Sequence, residues 1–197
     1  MRRFLRLMLF IAVAAVLCGC GYNAIQHKDE AARADWSELI NQYKQRADLV
    51  PNLVNTVQGH AQQERQVLTE VTDARARVGL VQVNADDPAS LQQFQQAQDQ
   101  LGDALSRLLL LRQNYPELES DQNFRDLQAQ LQDAEGRISS ARSRYIRSVQ
   151  AYNSHIRSVP QVFTAKLFGY QPRPNFSVEA EARLAPPAGQ RQPATMQ

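Results

Sequence analysis

Cysteine is nearly missing from this chain of 197 residues: Cys18 and Cys20 are the only two, and both fall within the first twenty positions. A disulfide-built fold is thereby excluded. Eight glycines exclude a fibrous or low-complexity protein, and a hydrophobic fraction of 43% excludes wholesale disorder. Excess charge of one sign is missing too. With 22 basic and 20 acidic residues the formal charge is +2, and the pI of about 8.7 falls short of the strongly basic footprint of a nucleic-acid binder. There is no glycine-rich phosphate loop, no Gly-x-Ser-x-Gly elbow and no paired zinc-binding histidine motif. Long apolar runs are also lacking. The uncharged stretch 7–18 is shorter than the roughly 17 to 25 residues a spanning helix needs.

What the amino end does carry is Arg2, Arg3 and Arg6 ahead of that apolar stretch, followed by Leu17-Cys18-Gly19-Cys20. This order reads as a secretory leader, and its end resembles the bacterial lipobox, in which a small residue precedes an acylated cysteine. The expectation is a lipoprotein-type signal peptide over 1–19 and lipidation at Cys20. Cys18 is the poorer candidate, because the large Leu17 precedes it. Gly21 stands where an aspartate would signal inner-membrane retention, which favours the outer membrane facing the periplasm. A transmembrane helix is the alternative anchor. Without 1–19 the chain has 19 basic and 20 acidic residues, so the basic excess belongs to the leader.

Beyond the leader, strand signals are absent and apolar residues recur at steps of three and four. Phe124, Leu127, Leu131, Ala134, Ile138, Ala141, Tyr145, Val149, Tyr152 and Ile156 form one continuous stripe. Leu91, Phe94, Leu101, Leu105 and Leu108 mark another helix, with Asp87 as cap and Pro88 at the first helical position. Ser120 offers a cap for the helix after it. Two earlier periodic stretches meet at Asp48-Leu49-Val50-Pro51, where a residue before proline is pushed out of the helical region. A kink there would leave one helix of about 58 residues, about 87 Å long and far beyond its partners; the preferred reading, a reversal, predicts an all-α, antiparallel up-and-down four-helix bundle with helices near 22–48, 51–80, 88–114 and 120–159. The organisation expected is a leader over 1–19, a bundle over 20–160, and a short aromatic segment with an extended, largely disordered proline-rich tail over 161–197. From Pro160 onward lie six of the nine prolines.

The run Arg46-Ala47-Asp48-Leu49-Val50-Pro51-Asn52-Leu53-Val54 resembles the signature of the LemA family of bacterial membrane-associated proteins. So do Asn114-Tyr115-Pro116, Asn123-Phe124, Arg137-Ile138, Ala141-Arg142, Tyr152-Asn153 and Leu167-Phe168-Gly169-Tyr170, and the likeness extends over roughly 22–187. The resemblance implies a helical bundle held to a membrane by its amino end, usually through a transmembrane helix. It brings no catalytic activity, cofactor or metal.

Three histidines, His27, His60 and His155, fall on different helices, and only His60 and Glu64 share a helical face, which is too few ligands for structural zinc. Arg46, Asp48, Pro51 and Asn52 form the expected helix-junction motif, with Asp48 capping and Arg46 pairing with a carboxylate across the bundle. Gln128, Glu135, Arg142 and Asn153 lie beside the last stripe, either fixing register or lining a polar site between helices. Charge along that last helix is segregated, acids early and arginines late, over more turns than a helix dipole accounts for. Arg144, Arg147 and Arg157, with Phe163, Leu167 and Phe168, are therefore expected at the membrane surface. These readings together predict a non-enzymatic, membrane-anchored envelope protein that serves as an interaction or scaffolding module. Its partners would be the membrane, through the lipid, and unknown envelope proteins, with no nucleic acid. A small-molecule or lipid-binding bundle is the alternative.

Overall fold

A computed structural model describes the backbone of residues 2–176 and the side chains of 21–176. The side chain of Cys20 and the tail over 177–197 lie outside the described residues. The order is α1 (Arg2–His60), α2 (Arg65–Leu80), α3 (Pro88–Leu110), a single 3-10 turn (Leu111–Gln113), α4 (Pro116–Ser120), α5 (Gln122–Arg157) and α6 (Gln161–Phe168). No strand occurs among the described residues. The chain is all-helical, as its periodicity predicts.

The local start signals at α3 act as expected: the Asp87 carboxylate accepts from the backbone N–H of Ala89 and Ser90 at 3.1 and 3.2 Å, with Pro88 in the first turn. At α5 the cap is one residue later than expected. Asp121 accepts from Phe124 N–H at 2.8 Å, while the Ser120 hydroxyl turns back to donate to the Glu117 carbonyl. That backbone hydrogen bond holds the Asp121 carboxyl below its ordinary range.

The expected reversal at Pro51 does not occur. α1 passes through the proline and runs for 59 residues, about 88 Å at 1.5 Å per residue, and the chain turns back only between His60 and Arg65. Two physical facts explain this. Proline removes the N–H that would bond to the carbonyl four residues earlier, that of Ala47. That carbonyl is supplied from outside the helix by Arg75 Nε of α2, at 2.9 Å. Val50, Leu53 and Val57 are all fully buried around the proline. At about 1.5–3 kcal/mol each, their burial outweighs the ~3 kcal/mol cost of an interior proline. The two substitutions should therefore couple. Arg75→Ala is expected to cost about 1 kcal/mol in urea unfolding, and less than half of that in a Pro51→Ala background, where residue 51 regains its own N–H.

Partners between α1 and α5 are His60 with Asp121, Arg46 with Glu135, Tyr43 with Arg142, and Asp35 with Ser148. Numbers fall on α1 as they rise on α5, so these helices lie side by side in opposite senses. α2 and α3 pair through Glu70 with Arg107 and Arg77 with Gln100, each at 3.3 Å. The core divides into three along this axis. At the end near His60, residues from α1, α2, α3 and α5 meet, among them Leu53, Val71, Leu108 and Phe124. In the middle, α1, α3 and α5 enclose Leu39, Phe94, Tyr145 and Val149, joined by Phe176 from the tail. At the other end Ile25, Tyr152 and Ile156 pack with Ala165 of α6.

α6 stops at Gly169, whose φ of +73° is the left-handed conformation glycine adopts at least cost, and Tyr170 N–H closes the end on the Ala165 carbonyl. Residues 170–176 then run back over α1 and α5 as an extended strap. Asn153 of α5 fixes it in the manner of a strand partner, donating to the Arg173 carbonyl and accepting from its N–H, both at 2.8 Å. Arg173 bonds the buried Asp29 of α1 at 2.7 Å and also reaches Asp86 in the loop between α2 and α3. The strap thus ties three separate parts of the chain together.

Candidate functional site

The residues that bring polar chemistry inside the molecule sit where α3 and α5 diverge above α1. Arg46 is the centre. It projects from α1 and is only 4% exposed, and its guanidinium donates to Glu135 Oε1 of α5 at 2.6 Å and to both the side-chain and backbone oxygens of Gln98 on α3, at 2.6 and 3.1 Å. One side chain thus joins three helices. The expectation that Arg46 pairs with a carboxylate across the bundle is realised, with Glu135 as the partner. Gln98, 2% exposed, was not foreseen, since nothing distinguishes it by type from the other glutamines of α3.

Beside this knot lies Arg142 of α5, which donates to the Tyr43 hydroxyl and lies over the rings of Tyr43 and Phe176, its guanidinium carbon 5.9 and 5.4 Å from their centroids. Burial pushes the Tyr43 hydroxyl up, and Arg142 opposes that shift. The two arginines, Tyr43, Gln95, Gln98 and Glu135 line a cleft of about 690 Å³ between α3 and α5. That volume is in the range of small-molecule sites.

Tyr145 stands next to this cluster, among Trp36 and Phe176. Its hydroxyl is buried without a hydrogen-bond partner among the described residues, and burial pushes it up to about 12. Removing the oxygen therefore removes a desolvation penalty and no bond. Tyr145→Phe is expected to leave stability unchanged or raise it by up to ~1 kcal/mol in urea unfolding. The sign with pH follows. Below the ordinary value of 10 the hydroxyl is neutral in both folded and unfolded chain; as pH climbs from there towards about 12 the unfolded chain ionises first and stability falls, a loss the Phe variant escapes.

The other residues singled out from the sequence are distributed differently. Asp48 and Asn52 are exposed on the continuous α1 and cap nothing, so the expected junction motif is a helical segment whose inward members are Arg46 and Val50. Gln128 accepts from Arg112 at 3.2 Å, away from the cleft, and Asn153 serves the strap. Phe163, Leu167 and Phe168 of α6 are exposed, at 69%, 73% and 55%, and are joined by exposed Val159 and by Tyr22 of α1, whose ring lies 5.0 Å from that of Phe168. Arg157 ends α5 at this base. Arg144 and Arg147 do not reach it: they stand roughly 20 and 15 Å up the helix by its rise of 1.5 Å per residue, and Arg144 faces Glu38 at 4.0 Å. Among the described residues no group of three His, Cys, Asp or Glu side chains is placed to hold a metal. No described helix is long and apolar enough to cross a membrane.

No curated protein matches the chain significantly. The family model described as LemA family matches residues 35–188, a span that takes in Arg46, Gln98, Glu135, Arg142, α6 and the strap. The chain belongs to the LemA family.

Proposed function

We propose that this protein is a non-enzymatic, membrane-anchored module of the cell envelope, which presents an antiparallel up-and-down four-helix bundle to protein partners. In this reading a lipid on Cys20 holds it to the outer membrane on the periplasmic side. The observation that carries the reading is the position of the exposed apolar residues. Tyr22, Val159, Phe163, Leu167 and Phe168 gather at one end of the molecule, the end from which α1 continues towards Cys20 and the apolar stretch 7–18. Arg157 and Lys166 flank them. Contiguous apolar residues at a surface mark an interaction site, and cations beside them add about 1 kcal/mol each at an anionic bilayer. α6 would then rest on the same membrane to which the lipid on Cys20 ties the start of α1.

Two measurements test this. Metabolic palmitate should label the protein in cells and fail to label Cys20→Ser; equal labelling of both removes the lipid anchor from the reading. A chain starting at Gly21 should float with vesicles containing anionic lipid, and Phe163→Asp with Leu167→Asp should abolish flotation. Flotation that survives both aspartates rejects the seating of α6. Crosslinking in intact cells then identifies the partners.

A further inference from the structure

The anchoring reading leaves one feature of the cleft unused, a buried cation with no carboxylate beside it among the described residues. Arg142 is 8% exposed, yet among the described residues no carboxylate lies within 4.0 Å of its guanidinium, whereas Arg46 beside it has Glu135. The Tyr43 hydroxyl and the two ring faces are its only described partners. Such contacts soften the loss of hydration but supply no negative charge. The remaining inventory is one-sided in the same way. Nε of Arg46, Nε of Arg142 and the amide nitrogens of Gln95 and Gln98 are all buried without an acceptor, and all four residues line the one cleft. Every one of these groups is a donor. Carboxylates are present only on exposed residues, Asp99 and Asp103 on α3 and the Glu135 that serves Arg46, where water screens them.

We propose that this cleft binds a small anion bearing at least two acceptor oxygens, a carboxylate or a phosphate, with Arg142 as its charge partner and the amides of Gln95 and Gln98 as further donors. The oxygens would take up the unanswered N–H groups, and the anionic charge would balance the guanidinium. Both flanks of the cleft are already tied, Gln98 to Arg46 and Arg142 to Tyr43, so these side chains are held in place before an anion arrives.

The test uses the full chain in detergent micelles, with the arginine Nε–H signals followed by nuclear magnetic resonance during titration with inorganic phosphate and, separately, acetate. Sodium chloride at matched ionic strength is the control. A saturable movement of the Arg142 signal with either anion, and none with chloride, is the expected result; which anion acts identifies the head group. Arg142→Lys, which keeps the charge but not the fork of donors, should weaken the response at least tenfold, read in that variant from the Nε–H of Arg46 in the same cleft. Arg142→Met should leave the Arg46 Nε–H signal unmoved by either anion and, without anion, melt no lower than the parent, since it removes a buried charge with no described carboxylate beside it. The proposal is overturned if neither anion moves the Arg142 signal through tens of millimolar. It also falls if Arg142→Met melts well below the parent while the parent melts alike with and without anion. Glu179→Gln with Glu181→Gln separates the remaining occupant: if that pair moves the Arg142 signal and added anions do not, the chain's own tail supplies the counter-charge.

Discussion

Arg46→Ala is expected to destabilise the bundle by about 3 kcal/mol, at the lower edge of what breaking a buried ion pair costs. The lower edge applies because Glu135 is 48% exposed on its side chain and regains water when the arginine leaves. Gln98 cannot do so. Its oxygen is buried and would lose its donor, and the backbone carbonyl of the same residue loses one too. For a chain of this size the melting temperature should fall by ~6–12 °C. Arg46→Met, which keeps most of the packing volume, should cost less than the alanine, and combining it with Gln98→Leu should recover most of the loss, since an apolar pair of similar size leaves nothing unanswered. A double variant as unstable as Arg46→Ala would show that the arginine acts through something other than this bond set.

The second large effect is expected at Arg173. Its guanidinium and the Asp29 carboxylate are both about nine-tenths buried, and it is the residue through which the strap holds α1 and the α2–α3 loop. Arg173→Ala leaves Asp29 with only the exposed Arg33, at 2.9 Å. A cost of about 3 kcal/mol follows, but it should appear locally. Hydrogen exchange is expected to accelerate over 170–176 and around Trp36, where Phe176 packs, while α2 and the upper part of α3 keep their protection. Arg173→Lys should recover little, because one ammonium cannot span two carboxylates as the guanidinium fork does. Uniform acceleration along the whole chain would place Arg173 in the global core rather than in a separable strap.

How far the fold could be read from sequence depended on whether the deciding contact was local. The start of α3 was legible because Asp87 and Pro88 act within one turn, and α5 because ten apolar positions keep one phase over its whole length. Pro51 misled for the opposite reason. The bond that rescues its helix comes from Arg75, in another helix, and no pattern around residue 51 announces it. The true reversal at 61–64 was hidden because Ala61 and Leu68 stay in phase across it, and Gly59 was the one weak signal nearby. At the candidate site the charged members were visible, since an arginine beside an apolar stripe stands out. Gln98, Arg173 and Phe176 were not, because their roles are set by strands of chain that approach from far along the sequence.

The pairing of α1 with α5 also sets an order in time. Its polar contacts join residues 61 to 113 positions apart, so the long first helix must wait for its principal partner while α2 and α3 can close on each other alone. At a synthesis rate of roughly 5–20 residues per second, about a hundred residues separate the end of α1 from the end of α5, a delay of several seconds. Throughout that delay the stripe containing Ile25, Leu39 and Leu53 is without its main cover, and the strap that seals the middle layer arrives later still. A nascent chain built this way remains open to threading through a membrane or to capture by a chaperone until almost all of it has been made.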